Sequence, residues 1–197
     1  MIITFDYVND MSEQQIRDVL IKHSTVPRVD RGRTDKADYH AYEFFYPSEL
    51  QYLSRKAEDT VNILEVGTAM GGSLRCWMEL YPTARFFGIS DRNELDDDVK
   101  THPQMHMEVA LQSDPRVGHM FPGVMFDLII DDASHQVADQ IATFNMLKNR
   151  LVPGGKYVIE DIYPDHRYPT DFMRNFRVVD LIHIKNRADD KLFVYDA

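Results

Sequence analysis

Apolar positions along this chain recur first at helical spacing and then, from about residue 61, in short runs separated by helical stretches. Ile16, Val19, Leu20 and His23 follow one helix face behind Ser12-Glu-Gln-Gln15, which has the form of a capping box. Residues 25–38 are charged and aperiodic and predict a loop. Tyr46, Leu50, Leu53 and Ala57 predict a second short helix, with Ser48 near its start. The apolar run 62–66 is a strand ending at Gly67, and Leu74, Trp77, Met78 and Tyr81 give the next helix its buried face. Further strands are predicted at 85–89, 105–110, 126–130 and 156–159. Between them lie an acidic loop through Asp96-Asp-Asp98, a helix marked by Val137, Ile141, Phe144 and Leu147, and a turn at Pro153-Gly-Gly155. The segments 177–184 and 191–195 flank a polar loop and predict an antiparallel hairpin.

Strands that alternate with helices imply an α/β fold, a Rossmann-like, doubly wound and mostly parallel sheet covered on both faces. The closing hairpin would add antiparallel strands at one edge. Residues 1–60 are expected to form a helical and loop segment of the same domain, and residues 61–197 its cofactor-binding body. A length of 197 residues suits a single domain, and 44% hydrophobic residues supply a core, which excludes wholesale disorder. Charge sharpens the picture. Thirty-two acids against 22 lysines and arginines leave a net charge of −10, which repels phosphate backbones and suits cationic ligands or metal ions. Nucleic acid is therefore not an expected partner. The single cysteine, Cys76, excludes an intrachain disulfide and fits a reducing compartment. Residues 1–6 lack a basic signal-peptide start, and no apolar run approaches a membrane span, so the expected location is cytoplasmic with no membrane partner.

The turn after the first strand reads Glu65-Val-Gly-Thr-Ala-Met-Gly-Gly-Ser73. A dinucleotide fingerprint would place glycines at 67, 69 and 72, but position 69 is alanine, and the glycine that lets pyrophosphate approach is missing. No Gly-Lys-Ser/Thr follows for a Walker loop. Glu65 instead directs a carboxylate at the site, which suits an ammonium or sulfonium ligand. The segment resembles motif I of the class I S-adenosylmethionine-dependent methyltransferases. The resemblance implies that Gly67, Thr68, Gly71 and Ser73 wrap the methionine part, with Glu65 as a polar anchor. It also implies that an acid ending the second strand holds the ribose hydroxyls. The family's acid falls on Ser90 here, so Asp91, one residue on, takes its place. Gln112-Ser-Asp114 follows the third strand, where this fold brackets adenine.

Asp131-Asp-Ala-Ser-His135 follows the fourth strand and Glu160-Asp161 the fifth. If those strands are neighbours, four carboxylates and an imidazole converge beside the glycine turn. Such a cluster repels itself unless a cation neutralises it, and oxygen donors without cysteine point to Mg²⁺, Mn²⁺ or Ca²⁺. Taken singly, the same residues read as strand ends and helix caps, Asp131 and Ser134 among them. The stretches 126–135 and 151–161 resemble the macrolide-sugar O-methyltransferases of the macrocin type. Thr34-Asp-Lys36, with His40, Tyr42 and Tyr46 behind it, resembles that family's opening segment. The resemblance implies magnesium on Asp132, Glu160 and Asp161, and His135 as general base. It leaves Asp131 for the cofactor's amino group or for support. Among the other histidines, His40 is the candidate for lining the site. The resemblance further implies a metal-dependent O-methyltransferase acting on a hydroxyl of a sugar or glycosylated small molecule, and a homo-oligomer. The alternative is a relative that binds ligand and metal without transferring methyl, hydroxylase-like or a binding module.

Overall fold

In the computed structural model, which describes residues 11–24, 32–54 and 60–197, every residue of β1 (Asn62–Val66) is buried. The remaining strands are β2 (Arg85–Ser90), β3 (Met105–Val109), β4 (Phe126–Asp131), β5 (Leu151–Ile159), β6 (Arg177–Asp180) and β7 (Lys191–Asp196). They form one seven-stranded sheet in the order β3-β2-β1-β4-β5-β7-β6. Pairing is parallel from β3 through β5, and antiparallel where β7 meets β5 and β6. β1 and β4 are the central strands and are buried throughout, as expected where helices cover both faces. The order of connection reverses between them, which opens a crevice at their carboxyl ends.

The helices are α1 (Glu13–His23), α2 (Tyr46–Ser54), α3 (Gly72–Leu80), α4 (Asp97–Lys100), α5 (Val137–Leu147), α6 (Thr170–Met173) and α7 (Ile182–Lys185). Ser12 caps α1 reciprocally: Gln15 N donates to Ser12 Oγ at 3.2 Å and Ser12 N to Gln15 Oε1 at 2.8 Å. One face of the sheet carries Ile16, Leu20, Leu50, Leu74 and Trp77 from the first three helices, packed with Ile63, Phe86 and Ile130. The other carries Phe144 and Leu147 of α5 against Leu64, Val66, Ile129 and Ile159. Trp77 is fully buried, its ring 5.1 Å from that of Tyr46, which makes it a core residue.

Four expectations change. The hairpin's first strand stops at Asp180, because Asp180 Oδ1 accepts from Ile182 N and turns the chain into α7. The turn at 153–155 lies inside β5 as a register shift opposite Phe126 and Leu128, with Gly154 at φ 77°. The acidic loop contains α4, with Asp96 at its N-cap and Arg75 paired to Asp96 (2.9 Å) and Asp98 (2.5 Å). Helix α2 begins at Tyr46, ahead of Ser48. Ala57, residues 25–31 of the expected loop and residues 1–6 lie outside the described residues.

Candidate active site

Register places the site. Val66, Asp131 and Ile159 are partners across β1, β4 and β5, so Gly67, Asp132 and Glu160 follow one row beyond. The backbone continues that row, with Asp132 N bonded to Val66 O (2.8 Å) and Glu160 N to Asp131 O (3.0 Å). Two adjoining cavities open there and share Gly67, Ala69, Asp132 and Ala133. The larger, about 610 Å³, reaches Glu65, Thr68, Ser73, His135 and Asp161, and beyond them Arg33, Asp35, Tyr39, Tyr163 and Asp189. The smaller, about 470 Å³, reaches Ser90, Asp91 and Gln112. Gly71 lines neither; it caps α3 in the left-handed conformation, with Val99 and Leu95 against it.

Gly67 has φ 94°, and a Cβ there would fall 2.1 Å from the carbonyl oxygen of Asp132. Gly67→Ala should therefore cost about 1–3 kcal/mol from the backbone conformation alone and push the two strand ends apart. Thermal denaturation checks the stability loss. Three non-glycine residues on the same walls, Ala69 (φ 42°), His135 (56°) and Asp161 (56°), are also left-handed. Strain of this kind gathers where function fixes the backbone.

Glu65 is buried and accepts a hydrogen bond from Ser73 Oγ, and the Trp77 side chain also favours its charged form. Burial pushes this carboxyl up to about 7, against the opposing pull of Lys36 and Ser73. A folded-state pKa above the ordinary value means that ionising Glu65 destabilises the fold as pH rises from about 4.5 toward 7. Glu65→Gln should then match wild-type stability near pH 4 and exceed it by up to ~3 kcal/mol at pH 8. Equal stabilities at both pH values, measured by denaturant unfolding, would contradict this. A carboxylate retained at such a cost on the wall of a cavity fits a cationic ligand group.

Asp131 lies inside the sheet rather than on either cavity wall. Its Oδ1 accepts from Gln112 Nε2 (3.1 Å) and its Oδ2 from Tyr157 OH (3.2 Å), and burial pushes it up to about 7. Gln112 also accepts from Ser134 N (2.7 Å), so it ties the loop after β4 to the loop after β3. Asp91 is exposed and paired with Arg92 at 3.1 Å.

The acids beyond β4 and β5 meet a set of side chains from residues 36–46. Lys36 Nζ lies 2.8 Å from Asp132 Oδ2 and donates to Glu160 Oε2; Tyr46 OH donates to Glu160 Oε1. Tyr42 OH donates to Asp161 Oδ1 at 2.5 Å. His40 stacks on Tyr42 and bonds to Asp190 at 2.7 Å, buried and off the cavity walls. His135 Nε2 stands 3.8 Å from Asp161 Oδ2 and 4.0 Å from Asp132 Oδ1. Asp132, His135 and Asp161 each offer a ligand atom, and these atoms lie within 4.8 Å of one another. Glu160 is outside that group, with both oxygens engaged. Burial pushes Asp161 and Glu160 up, and neighbouring Asp132 adds to both. Burial also acts on Asp132, but Lys36 and His135 outweigh it and hold this carboxyl below the usual range. Three carboxylates gathered around an ammonium that pairs with only two of them, Asp132 and Glu160, fit a further cation, and the oxygen-rich donor set fits a hard one. The counter-charge of Lys36 and the tyrosine bonds to Glu160 and Asp161 carry no sequence signal beyond the resemblance of segment 34–46.

No protein-family model matches the chain. It is 32% identical over 141 residues to the 8-demethyl-8-alpha-L-rhamnosyl tetracenomycin-C 2'-O-methyltransferase of Streptomyces olivaceus, covering 67% of this chain and 36% of that protein. It is 31% identical over 163 residues to the L-olivosyl-oleandolide 3-O-methyltransferase of Streptomyces antibioticus, covering 75% and 41%. The chain thus spans well under half the length of the curated relatives it matches. Among solved structures it is similar to the MycE methyltransferase of the mycinamycin biosynthetic pathway, in complex with Mg and SAH. That likeness has a TM-score of 0.58 at 24% identity and covers 74% of this chain and 39% of that one. It is also similar to the N-methyltransferase NodS of Bradyrhizobium japonicum, with TM-score 0.52 at 14% identity, covering 92% and 96%. The fold is that of the class I methyltransferases. Within that class, the curated homologues of this chain are sugar O-methyltransferases, the type its sequence resembles.

Proposed function

We propose that this protein transfers a methyl group from S-adenosylmethionine to a hydroxyl of a sugar or glycosylated small molecule, with the help of a divalent cation. The observation that carries this reading is the convergence of Asp132, His135 and Asp161 on the wall of a cavity that begins at the Gly67 turn. In this reading Glu65 Oε2 takes the cofactor's ammonium, Thr68 and Ser73 flank it, and Asp91 holds the ribose hydroxyls. Gln112 closes the adenine end and, through its bond to Asp131, fixes the loop that carries the acids. The cofactor, when bound, supplies an electrophilic methyl on a sulfonium. Asp132 and Asp161 would hold the cation from the cavity side, with Glu160 adding charge behind them; such an ion lowers the pKa of a hydroxyl beside it. His135 Nε2 takes the hydroxyl proton. The deprotonated acceptor oxygen could then take the methyl that a bound cofactor would supply, the electron pair of the carbon–sulfur bond staying with the thioether. Attacking and leaving atoms must be in line, so the work of the walls is positioning.

No helix among the described residues is long and apolar enough to cross a membrane. A cytoplasmic setting belongs to the proposal, in keeping with a free and buried Cys76. Two measurements test it. Titration calorimetry should show micromolar-scale binding of the demethylated cofactor, and methyl transfer to diol-bearing sugars or catechols should require Mg²⁺. Failure to bind either form of the cofactor would overturn the reading. Binding without transfer to any acceptor would favour a relative that binds without catalysis.

A further inference from the structure

Gln112 lines the smaller cavity, yet both ends of its amide are bonded to protein. Its Nε2 donates to Asp131 Oδ1 and to Thr143 Oγ1, each at 3.1 Å. Its Oε1 accepts from Ser134 N at 2.7 Å. One buried side chain thus joins the loop after β3 to the end of β4, to the loop beyond it and to α5.

The loop that Gln112 holds is the partition between the two cavities. Asp132 and Ala133 line both, while Ser134 lines the smaller and His135 the larger. At one end Asp132 N is held by Val66 O at 2.8 Å, and Gly67 packs against the Asp132 carbonyl. Further on, Ser134 N is held by Gln112, and Ser134 Oγ donates to Asp139 at 2.8 Å. His135 follows in the left-handed conformation, φ 56°, which a residue with a Cβ keeps only where its surroundings impose it. A wall with the cofactor's cavity on one side and the acid and base on the other feels whatever fills either side.

We propose that Gln112 couples cofactor binding to the cation and base half of the site. The adenosine end of the cofactor, in the smaller cavity, fixes the partition through Gln112 and Ser134 and so sets Asp132 and His135 in place. Gln112 is a positioning residue, acting through the Ser134 backbone. The coupling is reciprocal, because two ligands that favour one arrangement of a loop favour each other. The inference rests on the cofactor and cation parts of the proposed function.

The test uses the full chain, Mn²⁺ and the demethylated cofactor, which lacks the sulfonium charge that would itself repel the ion. Titration calorimetry compares the dissociation constant of Mn²⁺ with and without saturating demethylated cofactor, so it needs no turnover. In wild type the demethylated cofactor should tighten Mn²⁺ binding by about fivefold or more, the ordinary scale of coupling between two sites. Gln112→Met keeps the length of the side chain and loses its bonds, and the effect should fall below about twofold. Thr143→Val removes one partner of Gln112 but leaves the bond to Ser134, and should keep the wild-type effect. A Gln112 that only contacts adenine would, on substitution, weaken the cofactor alone; one that only stabilises the fold would weaken both ligands. In either case the coupling would survive in Gln112→Met, and that result overturns the proposal. Loss of coupling in Thr143→Val as well would assign it to the packing of α5 and also overturn the proposal. If wild type binds both ligands independently, this inference fails by itself; if it fails to bind one of them, the proposed function fails and takes the inference with it. Should circular dichroism show Gln112→Met unfolded, Gln112→Asn, one methylene shorter than the span to Ser134, carries the same comparison.

Discussion

Asp132→Asn should abolish divalent-cation binding and lower methyl transfer by about 10³-fold or more, while the demethylated cofactor still binds. Asparagine keeps the shape of the side chain but not its charge. The oxygen on the cavity side becomes neutral or is replaced by an amide that repels the ion. Loss of an ion contributing several kcal/mol of charge stabilisation corresponds to that scale in rate. The fold should weaken as well, by about 1–3 kcal/mol, since Lys36 loses one of its two ion-pair partners among the described residues. Cofactor affinity should hold because the glycine turn packs against the Asp132 backbone carbonyl rather than its carboxyl. Calorimetry with Mn²⁺ and with cofactor product separates these effects. Activity retained by the variant, or wild-type activity untouched by a chelator, would refute the metal's role.

That the acids after β4 and β5 would lie side by side was legible in the sequence, because each group directly follows an apolar strand. Which of them share a row was not: the predicted strand ends at residue 130, whereas β4 runs to Asp131 and pairs it with Ile159, so Asp132 rather than Asp131 stands level with Glu160. The central strands β1 and β4 were legible because strands covered on both faces read as largely apolar runs, as in Leu128-Ile-Ile130, whereas β3, at the sheet edge and largely exposed, shows only a weak alternation. What the runs did not disclose was decided by hydrogen bonds between distant parts of the chain. Ile182 to Lys185 has strand-like residues, yet Asp180 turns it, and Lys185 reaches back to the His40 carbonyl at 2.6 Å. Glu160 is adjacent to Asp161 but faces Lys36 and Tyr46, because a left-handed residue at 161 turns the chain between them. Lys36 itself sits in a charged, aperiodic segment whose composition predicts solvent. Its burial is a consequence of acids that lie a hundred residues away.

His135→Asn should lower turnover by about 10² to 10⁴, the usual worth of a positioned general base, with little change in affinity for cofactor or Mn²⁺. Asparagine is the better replacement than alanine because position 135 has φ 56°, a conformation that asparagine tolerates and most residues do not. The geometry favours Nε2 as the basic atom. It opens toward Asp132 and Asp161 at 4.0 and 3.8 Å, and those carboxylates stabilise the imidazolium that proton transfer creates. Nδ1 is buried and has no hydrogen-bond partner among the described residues. The same three residues are also close enough to share an ion directly, so metal affinity is the discriminating measurement. A ligand histidine would carry Mn²⁺ affinity down with the rate, whereas a base leaves affinity in place. Residual activity in the variant should then climb with pH, as hydroxide takes over the proton that His135 no longer accepts. Full activity of His135→Asn at neutral pH would place the base elsewhere.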